Sequence, residues 1–141
     1  MINDDLKLKG KLAISLNGKI IQEVDNLVVT AGKGYVASRM KDTTATAMSH
    51  MAIGSGSTAA AASDTALGNQ LGRVALTSTT VSNAVVTYVA SFPAGTGTGA
   101  VTEAGILNAS SSGTMLCRTV FSVVNKGASD SMTVTWTVTV S

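Results

Sequence analysis

Residues that carry most protein chemistry are nearly absent from this sequence. Its 141 residues include one cysteine, Cys117, and one histidine, His50. A single cysteine excludes a disulfide within the chain, and the two residues together cannot supply the usual Cys and His ligands of a zinc site. A Ser-His-Asp triad would have to use His50, for which a place at the edge of a strand is the simpler interpretation. We therefore predict no enzyme, no metal site and no cofactor.

Charged and aromatic residues are scarce as well. Charged side chains make up 13 % of the chain, against roughly 25 % in an average soluble domain, and the net charge is only +2. So small a charge attracts phosphates weakly, which argues against a nucleic-acid partner. No apolar run approaches about 18 residues, which argues against a membrane partner, and the acidic start at residues 1–5 lacks the apolar segment of a signal peptide. Because a monomer with so few charges would be poorly soluble, we expect other subunits to cover part of its surface.

Threonine, serine and small apolar residues fill the sequence instead. It contains 19 threonines, 16 serines and 45 % hydrophobic residues, a composition unlike that of a disordered chain. The length suffices for one domain with a core and is too short for two. Residues 1–42 hold 12 of the 18 charged side chains. We therefore predict a single domain over 1–141, with a charged amino-terminal hairpin and short helix over 1–42 and a neutral β body over 43–141.

The amino-terminal region shows the alternation of a β-hairpin. Over residues 6–16, leucine and isoleucine favour even positions and lysine occupies odd ones, which is the period of a strand. The Asn-Gly dipeptide at 17–18 favours a type I′ turn, after which residues 19–24 return as the partner strand. We predict that this hairpin is exposed. Thr30 is a candidate amino-terminal cap for a short helix that reaches Met40.

Later strands are predicted most clearly at the end of the chain. There, apolar residues alternate with threonine from Met132 to Val140, so that one face is apolar and the other hydroxylated. Little regular structure is expected over 54–64, and Asp64 is a candidate cap for a helical turn through Leu71. Weaker patterns predict strands over 48–53, 73–80, 83–92, 100–107 and 114–124. The expected fold is mostly β, an antiparallel β-sandwich of jelly-roll or immunoglobulin-like type with an N-terminal hairpin and one or two short helices.

Three charged residues are isolated in the neutral, strand-rich part of the chain, namely Glu103, Arg73 and Arg118. A buried charge must be paired, because an unpaired charge in a protein interior is costly. These residues are therefore candidates for a structural ion pair inside the body or across a subunit interface. The alternative is that all three are solvated surface charges.

The lysines of the hairpin form a basic stripe. Lys7, Lys9, Lys11 and Lys19 are a candidate contact for an anionic partner. The alternative is a solvated face that also protects an edge strand from aggregation.

Two other patterns do not amount to a binding site. Glu23 and Asp25 stand two residues apart on a strand, but calcium requires about six or more oxygen ligands. The glycine-rich stretches at 54–56 and 95–99 do not complete the GxGxxG pattern of a nucleotide site, so tight turns or close subunit contacts are the better interpretation.

Six segments of the sequence resemble a known group of proteins. They are DNLVVTAGK at 25–33, MAIGSG at 51–56, AASDTALG at 61–68, VTEAGIL at 101–107, GTMLCR at 113–118 and the Thr/Val-rich last strand. The group that they resemble is the small structural proteins of tailed phages. The first resembles a segment of small virion proteins, and the next two resemble segments of tail-collar-like domains. The resemblance covers roughly residues 6–141. It implies a virion component without catalytic residues.

The resemblance and the composition favour a structural protein of a phage virion, assembled in the host cytoplasm. A capsid decoration or cement protein that oligomerises on the shell is our first hypothesis, since a single domain without coiled-coil heptads suits a cap or clamp. Its partners would be other copies of itself and the major capsid protein. A tail, baseplate or collar component, bound to tail proteins, is the alternative. A carbohydrate-binding adhesive module is a third hypothesis, and it would need an aromatic platform built from Tyr35, Tyr88 or Trp136.

Overall fold

A computed structural model describes residues 6–41 and 46–141 of the chain. The acidic start at 1–5, for which no signal peptide is expected, lies outside the described residues. Within them, the elements are nine strands and one helix: β1 (Leu8–Leu16), β2 (Lys19–Val28), α1 (Thr30–Lys41), β3 (His50–Gly54), β4 (Gln70–Ala75), β5 (Ser78–Ser82), β6 (Val85–Phe92), β7 (Gly99–Leu107), β8 (Met115–Lys126) and β9 (Met132–Val140). The predicted mostly β character is confirmed, and residues 55–64 contain no strand or helix.

The amino-terminal hairpin forms as predicted, but its first strand is not an edge strand of the sheet. Asn17 and Gly18 adopt positive φ angles of 50° and 84°, as a type I′ turn requires. The lysine face of the hairpin is exposed, as predicted, but β1 is an interior strand of the sheet, because it pairs with β9 as well as with β2. Leu12 and Ile14, on the other face of β1, are completely buried in the core. The period-two pattern identifies the buried face of a strand but not the strand's place in the sheet.

All strand pairs are antiparallel, and the strand order is β4-β3-β7-β8-β2-β1-β9-β6-β5. The sheet curls into a half-barrel. Its two halves are joined where β2 meets β8 over only two residue pairs, Leu27 with Arg118 and Val28 with Cys117. The strand predicted over 73–80 is in fact two strands, because β4 pairs with β3 in one half and β5 pairs with β6 in the other.

The core is built by both halves of the sheet. Side chains from β1, β3, β6, β7, β8 and β9 meet in one apolar cluster. The last strand shows most simply why side chains from a strand enter the core. Every second residue from Met132 to Val138 is buried, and the threonines between them are not. Trp136 is fully buried at the centre of this strand. Replacing Trp136 by alanine would lower the free energy of unfolding by on the order of 3–5 kcal/mol.

The helix α1 covers one end of the half-barrel. It begins at Thr30, as predicted, and packs on β8, where the backbone of Gly32 lies against the carbonyl of Leu116. A Cβ at Gly32 would overlap that carbonyl oxygen, which is why glycine stands inside the helix despite its low helix propensity. The helical turn predicted after Asp64 is absent from the described residues, and its sequence forms part of an ordered loop.

Candidate functional site

A buried ion pair links β7 to β8. Glu103 is completely buried, and Arg118 is 2 % exposed. The pairing register places Gly105 opposite Arg118, and Glu103 lies two residues before Gly105 on β7. The Nε and Nη2 atoms of Arg118 donate to Oε1 of Glu103 at 3.1 and 3.0 Å. The structure thus brings together two of the three isolated charges.

Backbone amides complete the shell around the Glu103 carboxylate. The N–H of Gly56 donates to Oε2 at 2.6 Å, the N–H of Asn69 to Oε2 at 2.8 Å and the N–H of Gly68 to Oε1 at 2.7 Å. Burial by itself would raise the pKa of Glu103. These three amides, together with Arg118, outweigh burial and hold the pKa below its usual value. Glu103 is therefore an ionised structural acceptor and not a proton donor at neutral pH.

Glycines allow the backbone to approach this carboxylate. A Cβ on Gly56 would overlap Oε2 of Glu103, and a Cβ on Gly54 would lie 2.6 Å from the same atom. The backbone of the glycine-rich stretch at 54–56 thus forms part of the site that binds the Glu103 carboxylate. Two or more N–H groups directed at one anion form strong, charge-assisted hydrogen bonds.

The same arginine ties down the loop between β3 and β4. Nη1 of Arg118 donates to Oδ2 of Asp64 at 2.9 Å, and Nη2 donates to the carbonyl of Thr58 at 3.0 Å. The N–H of Ser55 donates to the carbonyl of Asn69 at 2.9 Å, and this bond joins the two ends of the loop. Residues 55–69, which we call the β3–β4 loop, are mostly exposed and carry small Ser, Thr and Ala side chains. The cluster therefore holds an exposed, neutral loop in one shape.

The third isolated charge, Arg73, does not join this pair. Its Nε and Nη2 donate to Oε1 of Gln70, and its Nη1 donates to the carbonyls of Ala109 and Ser112. Arg73 therefore braces the β7–β8 turn, and its inclusion in the predicted ion pair is corrected. Partial burial lowers the pKa of Arg73.

The lysines of the basic stripe are exposed, as a solvated face requires. Lys7, Lys9, Lys11 and Lys19 all lie at the surface. Lys9 and Lys11 do not lie on an edge strand, because β1 has partners on both sides, whereas Lys19 begins the part of β2 that pairs with β1 alone. Lys11 lies 4.0 Å from a carboxylate oxygen of Glu23, with both side chains more than half exposed, so this contact contributes little.

The single histidine and the single cysteine of the chain both lie in strands. Nδ1 of His50 lies 2.8 Å from the hydroxyl of its neighbour Ser49. Within 6–41 and 46–141, no group of three His, Cys, Asp or Glu residues could hold a metal. Cys117 is completely buried, and this burial raises the pKa of its thiol well above the usual value. A buried neutral thiol is unreactive.

Lys126 is a structural residue that the sequence patterns did not identify. It is 1 % exposed, and its Nζ donates to the carbonyls of Pro93 at 3.0 Å and Asp130 at 2.7 Å. These bonds join the end of β8 to the turns on either side of it. Like Glu103 and Arg118, Lys126 is an isolated charge in neutral sequence. The same pattern could therefore have identified Lys126 as a buried residue.

Aromatic side chains do not form a surface platform. Trp136 is completely buried, Tyr88 is buried, and Tyr35 is half-buried, where its hydroxyl accepts the N–H of Met48. The two phenylalanines belong to the core. No helix among the described residues is long and apolar enough to cross a membrane.

Four separate segments of the sequence meet around Glu103. Gly56, Asp64, Glu103 and Arg118 come from the segments at 51–56, 61–68, 101–107 and 113–118 respectively. These segments together form the hydrogen-bonded cluster around the Glu103–Arg118 ion pair. In comparisons with known proteins, no family model, no curated protein and no solved structure matches the chain.

Proposed function

We propose that this chain is a non-enzymatic structural component of a tailed-phage virion, and specifically a capsid decoration or cement protein that stabilises the shell. The observation that carries the proposal is the fixed β3–β4 loop. Fifteen consecutive loop residues are uncommon in a compact domain and are usually functional. Here, four segments of the chain supply charges and glycines to hold that loop rigid, while its outer surface remains small and neutral. Such a surface suits repeated contact with a neighbouring protein.

The outward face of β6 and β9 supports the same role. Threonines of β9 lie beside Thr87, Val89 and Ser91 of β6, and the hydroxyls of Ser91 and Thr133 are 3.2 Å apart. This face carries hydroxyls and no charge on either strand. A neighbour that covers β6 with Thr133 and Thr135 removes no charge from water, which would be the largest cost of burying a polar surface. Lys9 and Lys11 of β1 stand opposite Thr139 and Thr137 and border this face on the other side. Weak contacts of this kind become strong when many copies act together.

The finer architecture belongs to the proposal. Both halves of the sheet contribute to one core, and β2 passes from one half to the other. We infer that the halves act as the two layers of a sandwich of jelly-roll or immunoglobulin-like type. A tight, two-layered body of this kind would present its outer strands and loops to neighbouring subunits.

A tail, baseplate or collar component is the second candidate. The likeness of segments 51–56 and 61–68 to tail-collar-like domains favours it, and these segments build the β3–β4 loop. The argument from the fixed β3–β4 loop applies equally to this candidate, because a ring in the tail also relies on fixed contact surfaces.

Immunogold labelling with quantitative mass spectrometry of purified virions tests the proposal. A decoration protein is expected on the shell at on the order of hundreds of copies, and a tail component at about 3 to 18 copies, as closed-ring symmetry requires. Absence of the chain from purified particles would refute both candidates. Reproducible binding on a glycan array together with that absence would favour an adhesive module instead.

A further inference from the structure

An open apolar groove lies between α1 and the ends of β1 and β9. Its volume is about 670 Å³, and we call it the α1 groove. The apolar side chains that line it are Leu6, Leu8, Val36, Met40 and Val140. Leu6 and Met40 are 69 % and 76 % exposed, an unusual state for large apolar residues that lie side by side on a monomer.

Three lysines surround this apolar floor. Lys9 lines it from β1, Lys7 from just before that strand, and Lys33 from α1, whereas no acidic residue of the described part of the chain lines it. Within 6–41 and 46–141, none of these three lysines forms an ion pair. The groove therefore fits an occupant that presents aliphatic side chains together with carboxylates.

The same chain offers one surface of that chemistry in the part that the structure describes. Three of its five described carboxylates are committed, since Asp64 and Glu103 bind Arg118 and Asp130 accepts bonds from Asn17 and Gly127. The other two, Glu23 and Asp25, are exposed on β2, and Glu23 has only a 4.0 Å contact with the exposed Lys11.

Exposed aliphatic residues lie on β2 and β8 near these two carboxylates, and Lys11 of β1 stands opposite Asp25. Ile20 and Ile21 are 61 % and 41 % exposed on the same strand, and Val123 of β8 is 52 % exposed. The side-chain amide of Gln22 donates to the carbonyl of Ser122 and so keeps β8 beside β2 at this point. We call Ile20, Ile21, Glu23, Asp25 and Val123 the β2 patch.

We infer that the α1 groove of one copy receives the β2 patch of a second copy. Apolar surface meets apolar surface, and the unpaired lysines meet Glu23 and Asp25, of which Glu23 has only the weak, exposed contact with Lys11. Because groove and patch are different surfaces, the contact generates a ring, a filament or a reciprocal two-fold dimer. The inference rests on the proposed structural role and specifies how copies associate.

Charge-reversal variants of the full chain test this pairing by light scattering and sedimentation. Lys33→Glu alters the groove, and Asp25→Lys alters the patch. Each variant alone is expected to self-associate at least about tenfold more weakly than the wild type, because like charges then face each other. An equimolar mixture of the two variants is expected to recover association, since the reversed charges attract again. Ser110→Glu with Ser111→Glu makes the same net-charge change as Lys33→Glu on an exposed turn outside both surfaces, and it should associate like the wild type.

Three outcomes would overturn the inference. They are a wild-type chain that stays monomeric at millimolar concentration, variants that associate normally, and a mixture that fails to recover association. Dissociation caused by neutralising Asp4 and Asp5, with no effect of Asp25→Lys, would assign the groove to the amino-terminal segment and also refute the β2 patch. None of these results bears on whether the chain is found in virions, so this surface can fail while the proposed function stands.

Discussion

Replacing Glu103 by glutamine is expected to destabilise the protein strongly at neutral pH. The carboxylate accepts three backbone N–H bonds and two bonds from Arg118. Glutamine keeps one acceptor oxygen and places an NH₂ donor where the other oxygen was, so at least two donors lose their acceptor. Arg118 also loses its buried counter-ion.

Removal of one partner of a buried ion pair costs about 3–5 kcal/mol. The contact of Arg118 with Asp64 survives, so the lower end of that range, about 3 kcal/mol, applies. At roughly 3 °C per kcal/mol for a domain of this size, Tm should fall by about 9 °C. Thermal unfolding followed by circular dichroism measures the shift.

Glu23→Gln is the matched control for this prediction. The Glu23 side chain is 58 % exposed and has one weak contact, so its loss should change stability by less than about 0.5 kcal/mol. Arg118→Met provides the second arm of a double-mutant cycle, with an expected coupling to Glu103→Gln of about 2 kcal/mol. A Glu103→Gln variant within about 1 kcal/mol of the wild type would refute the structural role of the cluster.

Further predictions concern pH, packing and thiol chemistry. Because the pKa of Glu103 is lowered by folding, its contribution is complete above the ordinary carboxylate pKa and is lost as the pH falls through the lowered value. The stability difference between wild type and Glu103→Gln in urea should therefore be constant from pH 7 to about 5 and shrink below about pH 4; a constant difference at acid pH would contradict this. Gly32→Ala should lower the free energy of unfolding by about 2 kcal/mol, because the added Cβ overlaps the Leu116 carbonyl. Gly34→Ala adds a Cβ in open space and should raise the free energy of unfolding by up to about 1 kcal/mol. Equal effects at the two glycines in urea unfolding would show that the helix packs differently. Cys117 should react with a thiol reagent only after unfolding, and rapid labelling of the native protein would show that the β8 face is open.

Features that depend on neighbouring residues could be predicted from the sequence. The turn at 17–18, the start of α1 at Thr30 and the alternation of β9 each arise from local backbone preference and side-chain period. In the candidate site, the isolation of Glu103 and Arg118 in neutral sequence indicated a pair, because an unpaired buried charge is too costly.

Features that depend on distant pairing could not be predicted. Arg73 resembles Arg118 in the sequence, but only the strand order shows which of them lies near Glu103. The ligands of Arg118 come from residues 54 and 60 positions away along the chain, in a loop with no periodicity to reveal its shape. The interior position of β1 is equally non-local, since it depends on a partner, β9, at the other end of the chain.

Comparison of phage particles assembled with and without this chain tests most directly the claim that it acts by lying against neighbouring proteins. Particles without it should release their genome at a lower temperature, and purified chain added back should bind to them and restore the wild-type temperature. Particles that assemble, withstand heat and infect equally well in its absence, and that bind none of the added chain, would contradict the claim.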